Sequence, residues 1–275
     1  MNKRLLSMAL AGTVGFAEAA VVAKPVAYEI DGEAFEGTLV YDDAVTTPRP
    51  GLVMVPNWLG VTDRAAEKAA RAASDKYVVF VADLYGKAVR PSNADEAKAA
   101  ASSVRADRPL MRKRTQAAVD ALKSQAGSVA LDSRKLAAIG FCFGGGAVLE
   151  LARSGADLSA FVSFHGNLDT PNPADAQNIK APVLVLHGAN DPSVPQQQVD
   201  GFIAEMKASS ADWQLVSYGG AVHSFTDPYA KVPGRNEYHP VVAARAFQAM
   251  NALLDEVFAQ PRSEARAATG KLDDR

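Results

Sequence analysis

The only cysteine of this 275-residue chain lies at the centre of the pentapeptide Gly140-Phe-Cys142-Phe-Gly144. The preceding residues 135–139 are typical of a buried strand, and a helix-like stretch follows, so the pattern predicts a sharp strand-to-helix turn. Glycines permit such a turn where a side chain would collide. The turn would expose the thiol at a helix N-terminus, whose positive dipole favours the nucleophilic thiolate. The alternative is a buried structural cysteine, which would leave the flanking glycines without a purpose.

An aspartate and a histidine follow two later predicted strands. Asp191 comes after the strand ending at Leu186, and His223 comes after the strand ending at Tyr218. The order Cys, Asp, His is the chain order of the catalytic residues in α/β-hydrolases. In such a triad Cys142 would attack a carbonyl carbon, His223 would take and return a proton, and Asp191 would fix the imidazole tautomer.

An oxyanion formed by that attack needs backbone donors. The amide of Phe143, directly after the cysteine, is one candidate. The loop Asn57-Trp58-Leu59-Gly60 follows the first central strand, so the amide of Trp58 is the other. The Trp58 indole is also a candidate wall of the site.

The chain has three histidines besides His223. His165 follows the strand Ala160–Phe164 and could line the pocket, whereas His187 suits structural hydrogen bonding and His239 suits the surface. No pair of histidines has the spacing of metal ligands, so no metal site is expected.

Short apolar runs alternate with helical periods along the chain. The predicted strands are Ala27–Ile30, Phe35–Tyr41, Gly51–Val55, Tyr77–Ala82, Leu136–Phe141, Ala160–Phe164, Val183–Leu186 and Trp213–Tyr218. The predicted helices are Thr62–Ser74, two within Asn93–Gln125 that break near Arg108-Pro109, Gly144–Arg153, Pro195–Ala208 and Val241–Phe258. This alternation predicts a single-domain α/β fold with a doubly wound, mostly parallel sheet and helices on both faces.

The composition favours a globular protein that binds no nucleic acid. Apolar residues make up 48% of the chain and the net charge is −2, and the basic residues are dispersed. The densest basic cluster, Arg112-Lys113-Arg114, is expected to form a solvated helix face. A single cysteine cannot form an internal disulfide.

The N-terminus has the pattern of a signal peptide. Lys3 and Arg4 precede the mostly apolar run 5–17, and Ala17-Glu18-Ala19 is a small-x-small site, which predicts cleavage after Ala19 and export to the periplasm or medium. A cytoplasmic chain with an apolar leader is the alternative. The run is too short for a membrane span. The catalytic domain is expected at 25–260, followed by a disordered tail at 261–275.

The chain resembles the dienelactone hydrolase family of α/β-hydrolases from about Tyr28 to Phe258. The resemblance rests on Asn57-Trp-Leu-Gly60, Asp83-Leu-Tyr-Gly86, Gly140-Phe-Cys-Phe-Gly-Gly145, His187-Gly-Ala-Asn-Asp191-Pro and His223-Ser-Phe225. It implies hydrolysis of a small-molecule ester or lactone through a thioester, without a cofactor. It also implies a triad of Cys142, Asp191 and His223, with the amides of Trp58 and Phe143 as the oxyanion hole. The oligomeric state stays open.

The chain departs from the family pattern in two places. Asn57 stands where the best-known members have a glutamate that helps to activate the thiol, so activation would fall to His223 alone. Thr226 and Asp227 stand where those members have an arginine for a substrate carboxylate, which favours a neutral ester or lactone. The substrate-binding candidates are Asn57, Tyr85, His165 and Phe225.

Two other functions fit the same residues. A catalytically weak relative could use the exposed thiol as a redox sensor that cycles through sulfenic acid. An acyl transferase could pass the acyl group to an alcohol instead of water, although the sequence offers no acceptor motif.

Overall fold

The computed structural model of the protein describes residues 21–73 and 75–259. Its strands are β1 (Val21–Ile30), β2 (Glu33–Asp42), β3 (Arg49–Val55), β4 (Val78–Val81), β5 (Leu131–Phe141), β6 (Phe161–Phe164), β7 (Val183–Gly188), β8 (Trp213–Tyr218), β9 (Lys231–Val232) and β10 (Asn236–Glu237). Its α-helices are α1 (Asp63–Ala73), α2 (Ala94–Ala106), α3 (Arg108–Lys123), α4 (Phe143–Arg153), α5 (Gln196–Lys207) and α6 (Pro240–Ala259), and a 3-10 helix spans Pro173–Asn178.

The main sheet has eight strands in the order β1-β2-β4-β3-β5-β6-β7-β8. The β1–β2 and β2–β4 pairs are antiparallel, whereas the pairs from β4 to β8 are parallel. The chain winds in one direction from β3 to β4 and in the other from β5 to β8. The predicted doubly wound α/β fold is therefore confirmed. Ligands in such sheets bind at the carboxyl ends of the strands where the winding direction changes, which here are β3 and β5.

Helices cover both faces of the sheet, and the central strands send alternate side chains to each. Val53 and Val55 of β3 pack in a core with residues of α2 to α5, whereas Leu52 and Met54 pack in a core with α1 and α6. All four side chains are fully buried. A strand buried on both faces reads as a continuous apolar run, which is the pattern that the sequence shows.

Local signals explain where several elements begin and end. Asp31 and Gly32 have φ angles of 53° and 81°, which suits the predicted two-residue hairpin turn. Asp107 accepts a hydrogen bond from the Leu110 amide at 2.9 Å and caps α3, so the predicted break between α2 and α3 is confirmed.

The structure departs from the sequence prediction in two places, and part of the prediction lies outside the described residues. The β1–β2 hairpin is longer than expected, because β1 is an edge strand that tolerates Pro25. The β9–β10 ribbon has only two residues in each strand, too few to form a pattern in the sequence. The predicted leader at 1–19, the tail at 261–275 and Ser74 lie outside the described residues.

None of the helices within residues 21–73 and 75–259 is both long and apolar enough to span a bilayer.

A buried charge network anchors α4, the helix that follows the cysteine. Arg153 donates to both carboxylate oxygens of Glu205 in α5, at 2.7 and 2.8 Å, and to Glu150 at 3.0 Å. Arg112 of α3 donates to the other oxygen of Glu150 at 2.8 Å. The expected solvated face at 112–114 is therefore wrong for Arg112, whose side chain is only 22% exposed. It is also wrong for Arg114, which donates to the Leu84 carbonyl oxygen.

The bidentate Arg153–Glu205 pair should contribute to stability. Glu205→Gln removes the charge opposite a buried guanidinium, so we expect the free energy of unfolding to fall by about 2–3 kcal/mol. Urea denaturation at constant m-value measures the change. Glu256→Gln, on the exposed face of α6, is the matched control and should change it by less than about 0.5 kcal/mol. Equal effects of the two substitutions would contradict the assignment.

Candidate active site

Cys142 occupies a strained turn between β5 and α4. Its φ and ψ angles are 56° and −120°, a conformation that costs free energy and persists only where the surroundings impose it. A Cβ atom on Gly144 would collide with the carbonyl oxygen of Val55, and one on Gly140 would collide with the carbonyl oxygen of Gly144. The two glycines therefore let α4 begin directly against the end of β3, which leaves the half-buried thiol at the switch in winding direction.

The structure brings Cys142, His223 and Asp191 into one hydrogen-bonded chain. His223 Nε2 lies 3.0 Å from Cys142 Sγ, and His223 Nδ1 lies 2.7 Å from Asp191 Oδ2. Asp191 Oδ1 accepts the Ser193 amide at 2.7 Å. Both carboxylate oxygens are thus occupied, so the carboxylate can hold the imidazole in a fixed orientation.

His223 and Cys142 each stabilise the charged form of the other. Burial opposes an imidazolium, but the hydrogen bonds to Asp191 and Cys142 and their negative charges outweigh it and raise the pKa of His223 to about 10. Burial also opposes a thiolate. The hydrogen bond and charge of His223, assisted by the Phe143 amide and by Arg105, outweigh that effect and lower the pKa of Cys142. The two shifts act in the same direction and favour a thiolate–imidazolium pair.

The loop after β3 faces the cysteine and offers a free amide. Asn57 fixes this loop, because its side-chain oxygen accepts the Leu59 amide at 3.1 Å and its carbonyl accepts the Gly60 amide at 2.9 Å. The Tyr85 hydroxyl donates to the Trp58 carbonyl oxygen at 2.9 Å. Within the described part of the chain the Trp58 amide has no hydrogen-bond acceptor. It can therefore donate to a ligand beside the sulfur.

A cavity of about 400 Å³ opens over the sulfur. Of the predicted site residues, Asn57, Trp58, Cys142 and His223 line it. The other lining residues are Leu59, Arg64, Arg105, Asn167, Ser193, Ser224, Asp227, Tyr229, Ala230 and Asn236. Among residues 21–73 and 75–259, no group of three or more His, Cys, Asp or Glu side chains could hold a metal ion.

Three predicted substrate-binding residues lie behind the cavity instead of lining it. Tyr85, His165 and Phe225 are 5%, 2% and 0% exposed. The Tyr85 ring packs on Phe143, with ring centroids 5.7 Å apart, and the Phe225 ring packs edge-on against His165 at 5.1 Å. Position at a strand end could not show that these side chains turn inward.

His165 supports the turn at Cys142 from its buried side. Its Nδ1 accepts the Cys142 amide at 3.2 Å, so its Nε2 carries the proton and faces Thr226 Oγ1 at 2.8 Å. Burial and the nearby charges of His223 and Lys68 hold the pKa of His165 well below the ordinary range, so the ring stays neutral. The imidazole therefore joins the cysteine turn to the loop that carries His223.

The cavity carries more positive charge than the sequence predicts. Asp227 does line the cavity, but Arg64 and Arg105 line it as well. Arg105 Nη2 donates to Asn167 Oδ1 at 2.7 Å, which fixes its guanidinium in the wall. The two arginines offset Asp227, so this aspartate alone does not decide the charge of the substrate. Neither arginine lies in a motif that could have identified it.

The sheet order and the cysteine turn define an α/β-hydrolase, and the comparisons with known proteins are more specific. The model of the dienelactone hydrolase family matches residues 35–258, and the chain belongs to this family.

Two curated relatives and one solved structure are among the similar proteins. An uncharacterised protein of Caenorhabditis elegans is 37% identical over 54% of this chain and 95% of its own length. A putative carboxymethylenebutenolidase of Salmonella typhimurium is 29% identical over 73% of this chain and 75% of its own length. The crystal structure of a dienelactone hydrolase-like promiscuous phosphotriesterase from metagenomic libraries is 39% identical, covers 86% of this chain and 99% of that one, and has a TM-score of 0.80.

The thiolate–imidazolium pair has a measurable consequence for alkylation. Because only thiolate reacts, the rate with iodoacetamide should rise with pH through an inflection below the ordinary thiol pKa of about 8.5. His223→Ala removes the stabilising charge, so the inflection should move above that of the wild type. The urea-unfolded chain supplies the reference for this single thiol. Coincident inflections for the folded and unfolded wild type would contradict the pairing.

Proposed function

We propose that this hydrolase cleaves carboxylic esters or lactones with a triad of Cys142, His223 and Asp191, through a thioester acyl-enzyme. The observation that carries the proposal is the contact of His223 with the sulfur at 3.0 Å and with Asp191 at 2.7 Å. Nucleophile, base and orienting acid within hydrogen-bond reach are the geometric signature of covalent acyl transfer.

Acylation begins from the ion pair. The Cys142 thiolate attacks the carbonyl carbon, a carbon–sulfur bond forms, and the carbonyl π electrons move onto oxygen. The amides of Phe143 and Trp58 donate to this oxyanion. When the intermediate collapses, the carbon–oxygen bond to the leaving group breaks and His223 Nε2 protonates the departing alkoxide. In a lactone the alkoxide stays attached to the acyl group.

Deacylation reverses these roles with water. Neutral His223 takes a proton from a water molecule, whose oxygen attacks the thioester carbon. The carbon–sulfur bond then breaks, which releases the acid and restores the thiolate beside the imidazolium. Asp191 holds the ring in place throughout, and Tyr85 and Asn57 hold the loop that presents the Trp58 amide.

Removal of the sulfur tests the proposal. Cys142→Ala should lower kcat/KM for small activated esters by at least about 10³-fold, because the covalent route is lost. Cys142→Ser keeps an oxygen nucleophile but needs stronger base assistance, so it should retain part of the activity. Circular dichroism and the thermal midpoint verify that both variants fold. Wild-type turnover by a folded Cys142→Ala variant would rule out the triad.

A substrate panel defines the acyl group. It should pair neutral with carboxylated esters and lactones, at equal leaving-group pKa. A neutral phosphotriester belongs in the panel as well, because the 39%-identical relative is described as a promiscuous phosphotriesterase.

Treatment with peroxide tests the redox alternative. Stoichiometric, reversible oxidation of Cys142 without turnover of any ester would favour a sensor over a hydrolase.

A further inference from the structure

A second, smaller cavity of about 40 Å³ adjoins the active-site cavity. It lies between α1 and the loop that carries Trp58, and this volume is room for about three water molecules. The two cavities share part of their lining: Asn57, Leu59, Arg64, Asp227 and Tyr229. A group bound in the smaller cavity would therefore lie beside the substrate site.

Three cations from α1 line this smaller cavity. Arg64, Lys68 and Arg71 follow one another at helical spacing and so lie on one face of the helix. Asp227 is the only acidic side chain in the described lining. The cavity therefore carries three positive charges against one negative charge.

Lys68 is the most deeply buried of these three cations. It is only 9% exposed, and its Nζ lies 4.4 Å from the centre of the Phe141 ring. Among the described residues it has no hydrogen-bond acceptor and no ion-pair partner within 4.0 Å. An ammonium group has three N–H donors, and on this largely buried side chain the cavity is where their acceptors can lie. An anion in the cavity would satisfy them.

Arg64 is held in place at the other end of the cavity. Its guanidinium lies over the Tyr229 ring at 4.3 Å, and the Tyr229 hydroxyl lies 3.1 Å from Glu67 Oε2. Stacking of this kind orients the guanidinium while its N–H groups stay available for a ligand. Arg71 is exposed and completes the lining.

We propose that this cavity binds one small oxyanion, a phosphate or carboxylate group, with Lys68 as the buried donor and Arg64 and Arg71 beside it. The group can come from a free inorganic anion or from the anionic end of an ester whose carbonyl lies over Cys142. Only the second source rests on the proposed function.

Calorimetric titration with inorganic phosphate tests the free anion. We expect saturable binding of one phosphate per chain, weakened at least about tenfold in Lys68→Met, which keeps the apolar contact with Phe141 but removes the charged donor. Asp227→Asn should tighten binding, because a repelling charge is lost. Lys98→Gln, an exposed cation on α2, is the control for charge alone and should leave the affinity unchanged.

Matched esters test the second source. Two esters with the same leaving group, one with a terminal carboxylate and one with the corresponding amide, give a ratio of kcat/KM values. If the anionic end binds here, this ratio should fall about tenfold in Lys68→Met and stay constant in Lys98→Gln. If Lys68→Met does not fold, Arg64→Gln and Arg71→Gln make the same comparisons.

The outcomes separate the two proposals. Binding of phosphate alone identifies a free-anion site, and a change in the ester ratio identifies a substrate subsite. Absence of both effects overturns the oxyanion site. Turnover of the neutral ester, measured in the same preparations, decides the proposed hydrolysis independently.

Discussion

The site depends on one contact, the 3.0 Å approach of the Cys142 sulfur to His223 Nε2. In a partly desolvated cavity a lone thiolate or a lone imidazolium would be unfavourable, but each stabilises the other. The contact exists because the backbone at Cys142 adopts a positive φ angle, which no ordinary strand or helix would impose. Two glycines permit the close packing of α4 against β3, and Asp191 fixes the far side of the imidazole. The position of the sulfur is thus set by several elements that meet where the winding direction of the sheet changes.

Side chains behind the cavity keep this contact rigid. Neutral His165 links the Cys142 amide to Thr226, which lies three residues after His223. Tyr85 holds the Trp58 carbonyl, and the Arg153–Glu205 pair fastens α4 to α5. None of these groups needs to touch a substrate. They act on the backbone that carries Cys142 and the Trp58 amide, where a small displacement would change the distances around the sulfur.

The sequence was informative wherever local chemistry determines structure. The elbow around Cys142, the continuous apolar strands and the helix break near Arg108-Pro109 each have a local physical cause, and the predicted α/β fold followed from such patterns. The positions of Asp191 and His223 after strands also placed both at the correct edge of the sheet. Orientation was harder to predict. Tyr85, His165 and Phe225 sit at the expected edge but turn inward, since their surroundings come from strands and loops distant in the chain. Arg64 and Arg105 reach the cavity from helix faces that resemble ordinary solvated surfaces.

Because the chain has a single cysteine, one titration addresses the central claim directly. Wild-type enzyme is alkylated in steps, the fraction of modified Cys142 is read from the intact mass, and the residual ester hydrolysis is measured on each sample. In the proposed mechanism the sulfur is the attacking atom, so we expect activity to fall in direct proportion to the modified fraction and to vanish at full modification. Full activity in completely alkylated, folded enzyme would contradict the account.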